Sequence, residues 1–392
     1  MRSLRNLWRR GRNLLPISGF HFDRPLVVLQ SDDWGRVGLR DQEGHELLQS
    51  AGLSLGERPY DFYTLETAED LTGLLAILKL HHDSNGRSPC LEMNFVVANL
   101  DFDRMKDGDW REVQLLPLAD GLPLGWVRPG LMQAYHKGIA DGVFHPALHG
   151  ITHFCWQAVE RSSSADGERA NLLRTLWRAG TPYIHWRMPW IGYEYWDAEK
   201  PEEERFLPVH AQGELIDRTI GLFGKAFSSL PRSACAPGYR ANDDTQRVWA
   251  QHGIRVAQNG PGMLTPPHID QYGILHLART VEFEPIADPQ FSVEMCLRRA
   301  EDCFSRGIPA IVSVHSINFH STVRDFRTGT LKRLDEFLTA LESKHPDLLY
   351  VHDENLDQLI RNGSYQTEQG IVQLNVTQKK FTKAQLSRRK RV

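Results

Sequence analysis

Three short segments of this chain carry residue types able to do chemistry, and each follows a run apolar enough to be a buried strand. The first is Leu29-Gln30-Ser31-Asp32-Asp33-Trp34-Gly35. Two adjacent carboxylates at a strand end repel each other unless positive charge lies beside them. A divalent metal supplies that charge, so one carboxylate could ligate while its neighbour takes a proton. An Asp pair is equally able to cap a following helix or turn. The second segment is His145-Pro146-Ala147-Leu148-His149-Gly150-Ile151-Thr152-His153. His149 and His153 are four apart, the spacing that turns two imidazoles to one face of a helical turn. Pro146 favours a helix start just after His145. Two neutral imidazoles and one carboxylate, with positions left open, suit zinc or another divalent metal in a catalytic role.

The third element is a pair, Cys235-Ala236-Pro237-Gly238-Tyr239-Arg240 and Ile311-Val312-Ser313-Val314-His315. A Pro-Gly turn lets backbone approach a ligand closely, and its free N–H groups can hold an oxyanion. Arg240 could fix a neighbouring carboxylate and depress its pKa. His315 falls at the end of a late strand, where barrel active sites lie, although a lone histidine is also a common satisfied core residue.

The elements that must position these groups alternate along the chain. Strands are expected at Leu26–Gln30, Leu91–Ala98, Val143 with Phe144, Ser233–Ala236, Ile254–Ala257, Ile274–Leu277, Ala310–Val314 and Leu348–Val351. Helical periods fall at Gln42–Ala51, Ala68–His81, Leu131–Gly138, Ala170–Ala179, Glu214–Leu230, Asp244–His252, Glu294–Arg306 and Leu331–Lys344. The alternation predicts an α/β barrel more than an open sheet, since no glycine-rich dinucleotide turn follows the first strand. From about 154 to 210 the rhythm breaks into an aromatic-rich stretch holding five of the ten Trp, read as an insertion beside the barrel mouth. Its rings would stack on sugar faces or form an auxiliary core.

The 392 residues carry 46 basic and 49 acidic side chains, a net charge of −3. Five Arg (Arg2, Arg5, Arg9, Arg10, Arg12) and seven basic residues from Lys379 onward (Lys379, Lys380, Lys383, Arg388, Arg389, Lys390, Arg391) lie in the two tails. Without those twelve the body holds 34 basic against 49 acidic residues, or −15. An acidic body argues against a nucleic-acid partner, and the tails read as solvated ends with at most weak contact to an anionic membrane face. No 18-residue apolar run would span a membrane, and no signal peptide is legible. Five scattered cysteines (Cys90, Cys155, Cys235, Cys296, Cys303) without a CxxC pair suit reduced thiols and a cytoplasmic location. The expected layout is a basic segment over 1–23, a barrel over 24–360 and a C-terminal extension with basic tail over 361–392.

In order and in kind, these segments resemble the NodB-homology polysaccharide deacetylases, metal-dependent carbohydrate esterases on a distorted (β/α)7 barrel. That family opens on a Thr-Phe-Asp-Asp-Gly type of motif, matched by Gln30-Ser31-Asp32-Asp33-Trp34-Gly35. Its His-(Ser/Thr)-x-x-His motif is matched by His149-Gly150-Ile151-Thr152-His153. The resemblance implies Asp32 as general base, Asp33, His149 and His153 as ligands of one divalent ion, most simply zinc, and His315 as general acid. It further implies an oxyanion contact from a main-chain N–H near Tyr239, with Arg240 as the arginine of the site. Trp34, His145, Trp186, Trp190 and Tyr193 are the candidates for contact with an acetylated sugar or glycan substrate. Three departures stand out: Trp34 separates the Asp pair from Gly35, Gly150 replaces a hydroxyl residue, and the third motif lacks its leading Arg-x-Pro. The implied function is hydrolytic removal of an N- or O-acetyl group. Rival readings are an amidohydrolase acting on a non-sugar C–N bond, an inactive glycan-binding barrel, and a closed structural metal site with His145 as fourth ligand.

Overall fold

The computed structural model describes residues 17–262 and 264–381. Its frame is a run of parallel strands separated by helices. Leu26–Trp34 pairs on one side with Ala310–His315, in register from Ala310↔Val27 to His315↔Asp32. On the other side it pairs with Leu91–Phe95, which pairs with Phe144–Leu148. The order continues through Ser233–Cys235, Val256–Asn259 and Leu275–Ala278, all parallel. After Arg279 and Thr280 the chain forms one more short strand, Val281–Glu282, which pairs in parallel with Val312 and Ser313 of Ala310–His315. The segment leaving one edge of the sheet therefore joins the other edge. Two further bonds seal this closure: Arg279 N–H donates to Asn259 C=O at 3.2 Å, and Thr280 N–H donates to Ile311 C=O at 2.9 Å. The wall is thus a (β/α) barrel of seven parallel staves, counting Leu275–Ala278 and Val281–Glu282 as two halves of one.

Period-2 alternation sets what each face carries. Val27 and Leu29 pack into the main apolar core with helix residues such as Leu74, Leu78 and Phe337. Leu26 and Val28 join the inner cluster with Val256, Leu275, Leu277 and Ile311, closed by Leu356 and Leu359 of the Asp353–Asn362 helix. Above that apolar layer the interior turns polar: Gln30, Glu92, Asn94 and Ser233 are fully buried, the first two and Ser233 hydrogen-bonded to Asp353 and Asn94 donating to Asp32 and Gln258. Helices begin at their chemical signals. Thr67 makes a capping box with Asp70 at the start of Ala68–Leu80, and Asn242 makes one with Thr245 at the start of Asp243–Gln251.

One expectation is corrected. The His149–His153 stretch is not helical: Pro146 pairs with Met93 inside the Phe144–Leu148 strand, and the next helix, Trp156–Ser164, begins beyond His153. In the described part of the 1–23 and 361–392 segments, Ile17–Phe22 pairs antiparallel with Val376–Phe381, bringing Lys379 and Lys380 into a strand. The remaining tail cations, Arg2 to Arg12 and Lys383 to Arg391, lie outside the described residues. The aromatic stretch carries the helices Trp156–Ser164 and Glu168–Arg178 and buries Trp177, Met188, Ile191 and Tyr195 in the main core, so much of it is structural. Among the described residues no helix is long and apolar enough to cross a membrane.

Candidate active site at the barrel mouth

The strand Leu26–Trp34 loses register between Ser31 and Trp34, and Asp33 there adopts φ +75°. This left-handed kink costs a non-glycine residue about 1–2 kcal/mol and lets Asp32 and Asp33 point to different partners. The kink is held from outside: Tyr63 Oη donates to Asp33 C=O at 2.7 Å and Ser316 Oγ at 3.3 Å. Glu66 accepts from Gly35 N–H at 2.8 Å just beyond. Trp34 points away from the mouth, fully buried and stacked 5.9 Å from Phe319, so it is a core residue and not a substrate contact.

Asp33 Oδ1 lies 3.5 Å from His149 Nε2 and 3.4 Å from His153 Nε2. His149 Nδ1 donates to the Cys235 carbonyl at 2.8 Å, which leaves the Nε2 lone pair for the side facing Asp33. Asp33 Oδ1 and His149 Nε2 are both buried without a hydrogen-bond partner. These three side chains have the donor types and spacing to hold a divalent cation. The site calls for positive charge: burial works against a charged His149, yet the Asp32 carboxylate and the nearby Asp33 carboxylate outweigh it and raise its pKa to about 10. His153 goes the other way, pushed well down by burial and by Arg36.

The histidine loop owes its shape to a buried glutamate. Glu194 accepts from Ile151 N–H and Thr152 N–H, each at 3.1 Å. A Cβ on Gly150, where φ is +93°, would lie 2.0 Å from Glu194 Oε2. A side chain at this position would have to displace Glu194. Burial raises the Glu194 pKa to about 8 against the pull of its two N–H donors.

Asp32 is clamped. Arg279 Nη1 reaches its Oδ2 at 2.5 Å and Nη2 its Oδ1 at 2.6 Å, while Asn94 Nδ2 donates to Oδ1 at 2.7 Å. Burial would raise the pKa of Asp32, but the Arg279 guanidinium holds it well below the usual carboxylate range. The arginine of the site is therefore Arg279, not Arg240, whose guanidinium is exposed and stacks 4.8 Å over Trp196. Tyr239 also differs from expectation: its N–H is spent on Ala236 C=O at 2.8 Å, and its Oη sits 2.8 Å from Arg279 and 3.4 Å from Asp32.

His315 closes the far side, its Nε2 3.8 Å from Asp32 Oδ2 and its Nδ1 2.6 Å from Glu284 Oε1. Burial disfavours its charged form, but Glu284 prevails and raises its pKa to about 9. Asn318 Nδ2 donates to Glu284 Oε2 at 2.7 Å and fixes that carboxylate. Arg279, Glu284 and Asn318 went unnoticed in the sequence. Arg279 did leave a signal there, as a single cation between two apolar strand runs.

A cavity of about 420 Å³ opens over these groups. Trp186 and Tyr193 line it with Tyr60, Tyr183 and His185. Trp190 is not among its lining residues and carries Arg169 over its ring at 4.9 Å. His145 is also elsewhere, at the other end of the Phe144–Leu148 strand from His149, against Glu92. A buried Arg36 enters the cavity wall, 3.5 Å from Asp33 Oδ2 and 3.8 Å over the Tyr63 ring.

No family model and no curated protein matches this chain. Among solved structures, a Mycobacterium smegmatis protein assigned as a polysaccharide deacetylase shares 12% identity over 86% of this chain and 90% of its own, with a TM-score of 0.45. A CE4 family pseudoenzyme from Bacillus anthracis shares 12% identity over 86% of this chain and 66% of its own, at 0.38. An allantoinase shares 9% identity over 86% and 91%, at 0.43.

Proposed function

We propose that this chain is a metal-dependent hydrolase that removes an acetyl group from an N- or O-acetylated sugar, as a divergent relative of the polysaccharide deacetylases. The observation that carries the reading is the buried convergence of Asp33 Oδ1, His149 Nε2 and His153 beside the clamped Asp32, on the floor of a cavity. Asp33, His149 and His153 would hold the ion, and two imidazoles with one carboxylate suit zinc. Such an ion, when bound, would polarise the acyl carbonyl and bring the pKa of a water from 15.7 toward roughly 7.

The chain's own groups do the rest. Asp32, kept ionised by Arg279, orients the attacking water and accepts its proton. His315 is protonated at neutral pH and gives its Nε2 proton to the departing amine or alkoxide. Glu284 on Nδ1 fixes which nitrogen faces the cavity. Trp186, Tyr193, Tyr60 and Tyr183 offer faces to the C–H surface of a sugar ring and exclude water. We further assign the protein to a reducing compartment, the cytoplasm, on the support of five buried cysteines that form no disulfide.

Arg36 favours a second reading, the inactive barrel, because its fixed charge against Asp33 Oδ2 competes with a metal ion for that carboxylate. The deciding experiment measures zinc content of the reconstituted protein together with acetate release from a panel of N- and O-acetylated sugars. The wild type is expected to release acetate, and Asp33→Ala and His149→Ala each to lose one zinc equivalent and fall to background. Zinc retained in both variants would overturn the reading. Zinc lost in both with no acetate from any sugar in the wild type would move it to a non-sugar C–N substrate or to the inactive barrel.

A further inference from the structure

The second cluster of metal-competent side chains lies away from the mouth. Glu92 and His145 are cross-strand partners on Leu91–Phe95 and Phe144–Leu148, and His352 caps the Asp353–Asn362 helix beside them. Phe144–Leu148 meets the next strand through one pair only, Leu148↔Ala234. Below that pair the two staves share no further ladder pair, and the two imidazoles of the cluster are about one-fifth to one-quarter exposed. Solvent reaches them there, while Glu92 is fully buried.

The donor geometry is specific. His145 Nδ1 lies 3.2 Å from Glu92 Oε2, and His352 Nδ1 lies 3.8 Å from Glu92 Oε1. His352 Nδ1 is buried with no hydrogen-bond partner. Glu354 Oε1 stands 3.5 Å from the other nitrogen of His145. A neutral imidazole carries one proton, and Glu354 draws that proton to Nε2. In that tautomer the Nδ1 lone pairs of His145 and His352 both face the Glu92 carboxylate, an arrangement that a cation between them makes favourable; a protonated His145 instead donates from Nδ1 to Glu92 Oε2 at 3.2 Å. Ligands about 2.0–2.1 Å from a tetrahedral zinc lie about 3.3–3.4 Å from one another; His145 Nδ1 already stands at that spacing from Glu92 Oε2, whereas His352 Nδ1 faces the other oxygen, Oε1, at 3.8 Å. A proton on His145 would satisfy Glu92 and Glu354. It would leave His352 stacked 4.5 Å from an imidazolium with nothing between its Nδ1 and Glu92.

We propose that Glu92, His145 and His352 form a second divalent-cation site, with Glu354 orienting His145 from outside. The ion class is one that imidazole favours, zinc before magnesium or calcium. Its position ties two barrel staves to the helix that closes the inner core, so its effect is on stability and not on turnover.

The test uses the full chain, stripped with a chelator, loaded with Zn²⁺ alone and desalted, with zinc counted per chain. Wild type is expected to keep two equivalents, Asp33→Ala one, His352→Phe one, and the double variant none. Phe keeps the stacking surface while removing the ligand, and a cooperative melt of each apo variant checks its fold. Zn²⁺ should raise the Tm of Asp33→Ala and leave that of Asp33→Ala/His352→Phe unmoved. Glu354→Gln should weaken the remaining zinc of Asp33→Ala by about 10–100-fold. Asp33→Ala holding no zinc, or His352→Phe holding as much as wild type, would overturn the proposal. One equivalent in wild type, unchanged in Asp33→Ala and lost in His352→Phe, would support this site and sink the mouth site instead.

Discussion

At the scale of single residues, the proposed chemistry rests on charge placed against charge in a buried setting. Asp32 is ionised because Arg279 grips both of its oxygens. Arg279→Met should let burial dominate, raising the Asp32 pKa and moving the acid limb of kcat/KM to higher pH. The same change leaves a buried carboxylate unpaired, at a cost of about 3–5 kcal/mol by denaturant unfolding. An unmoved acid limb would mean that Asp32 is not the group titrating in turnover. As the proposed acid His315 must be protonated, so activity is expected to persist at neutral pH and fall as pH rises through about 9. Glu284→Gln removes the charge that raises that pKa, and the alkaline limb should move downward, with activity near neutrality reduced by the missing proton. A limb that stays in place would assign it to another group.

At the scale of elements, the site depends on two loops that break regular structure. The kink at Asp33 is pinned by Tyr63 and Ser316, and the His149–His153 loop is wrapped around Glu194. Gly150→Ser would add a Cβ into Glu194 at a backbone φ of +93°. The expected loss is about 2–5 kcal/mol, read as a lower denaturant midpoint, together with weaker zinc retention at the mouth. A variant as stable as wild type would show that the loop can take another path. The four-residue spacing of the histidines therefore works through a loop folded over a carboxylate, not through a helical face.

For the whole molecule, closure is the property on which the rest depends. The stave Leu275–Ala278 continues past Arg279 and Thr280 into Val281–Glu282, so the residue that clamps Asp32 sits in the segment that seals the barrel. At the opposite side the Ile17–Phe22 strand, paired with Val376–Phe381, places Phe22 in the inner cluster with Leu26, Leu349 and Leu356. Phe22→Ala should cost about 3–5 kcal/mol, seen as a lower Tm without loss of zinc from the mouth. An unchanged Tm would make the terminal pairing an ornament of the fold.

Much was legible in the residues alone. Apolar runs between helical periods located the strands at Leu26, Leu91, Ser233, Ala310 and their neighbours, because burial on both faces leaves a continuous hydrophobic run that sequence displays directly. The approach of Asp33 to His149 and His153 was also legible, since each lies at or just past a strand end and parallel strands end together. What sequence could not supply is which distant side chain meets which. Arg279 rather than Arg240 reaches Asp32, Glu284 reaches His315, and Glu194 takes the space of a hydroxyl beside His149, because these pairings join elements 30 to 250 positions apart. Trp34 and His145 read as mouth residues by their neighbours in the chain, but strand pleat and register turn one into the core and carry the other down the wall. Local pattern determines the staves. Closure of the barrel decides the partners, since only the closed wall brings the polar ends of all seven to one point.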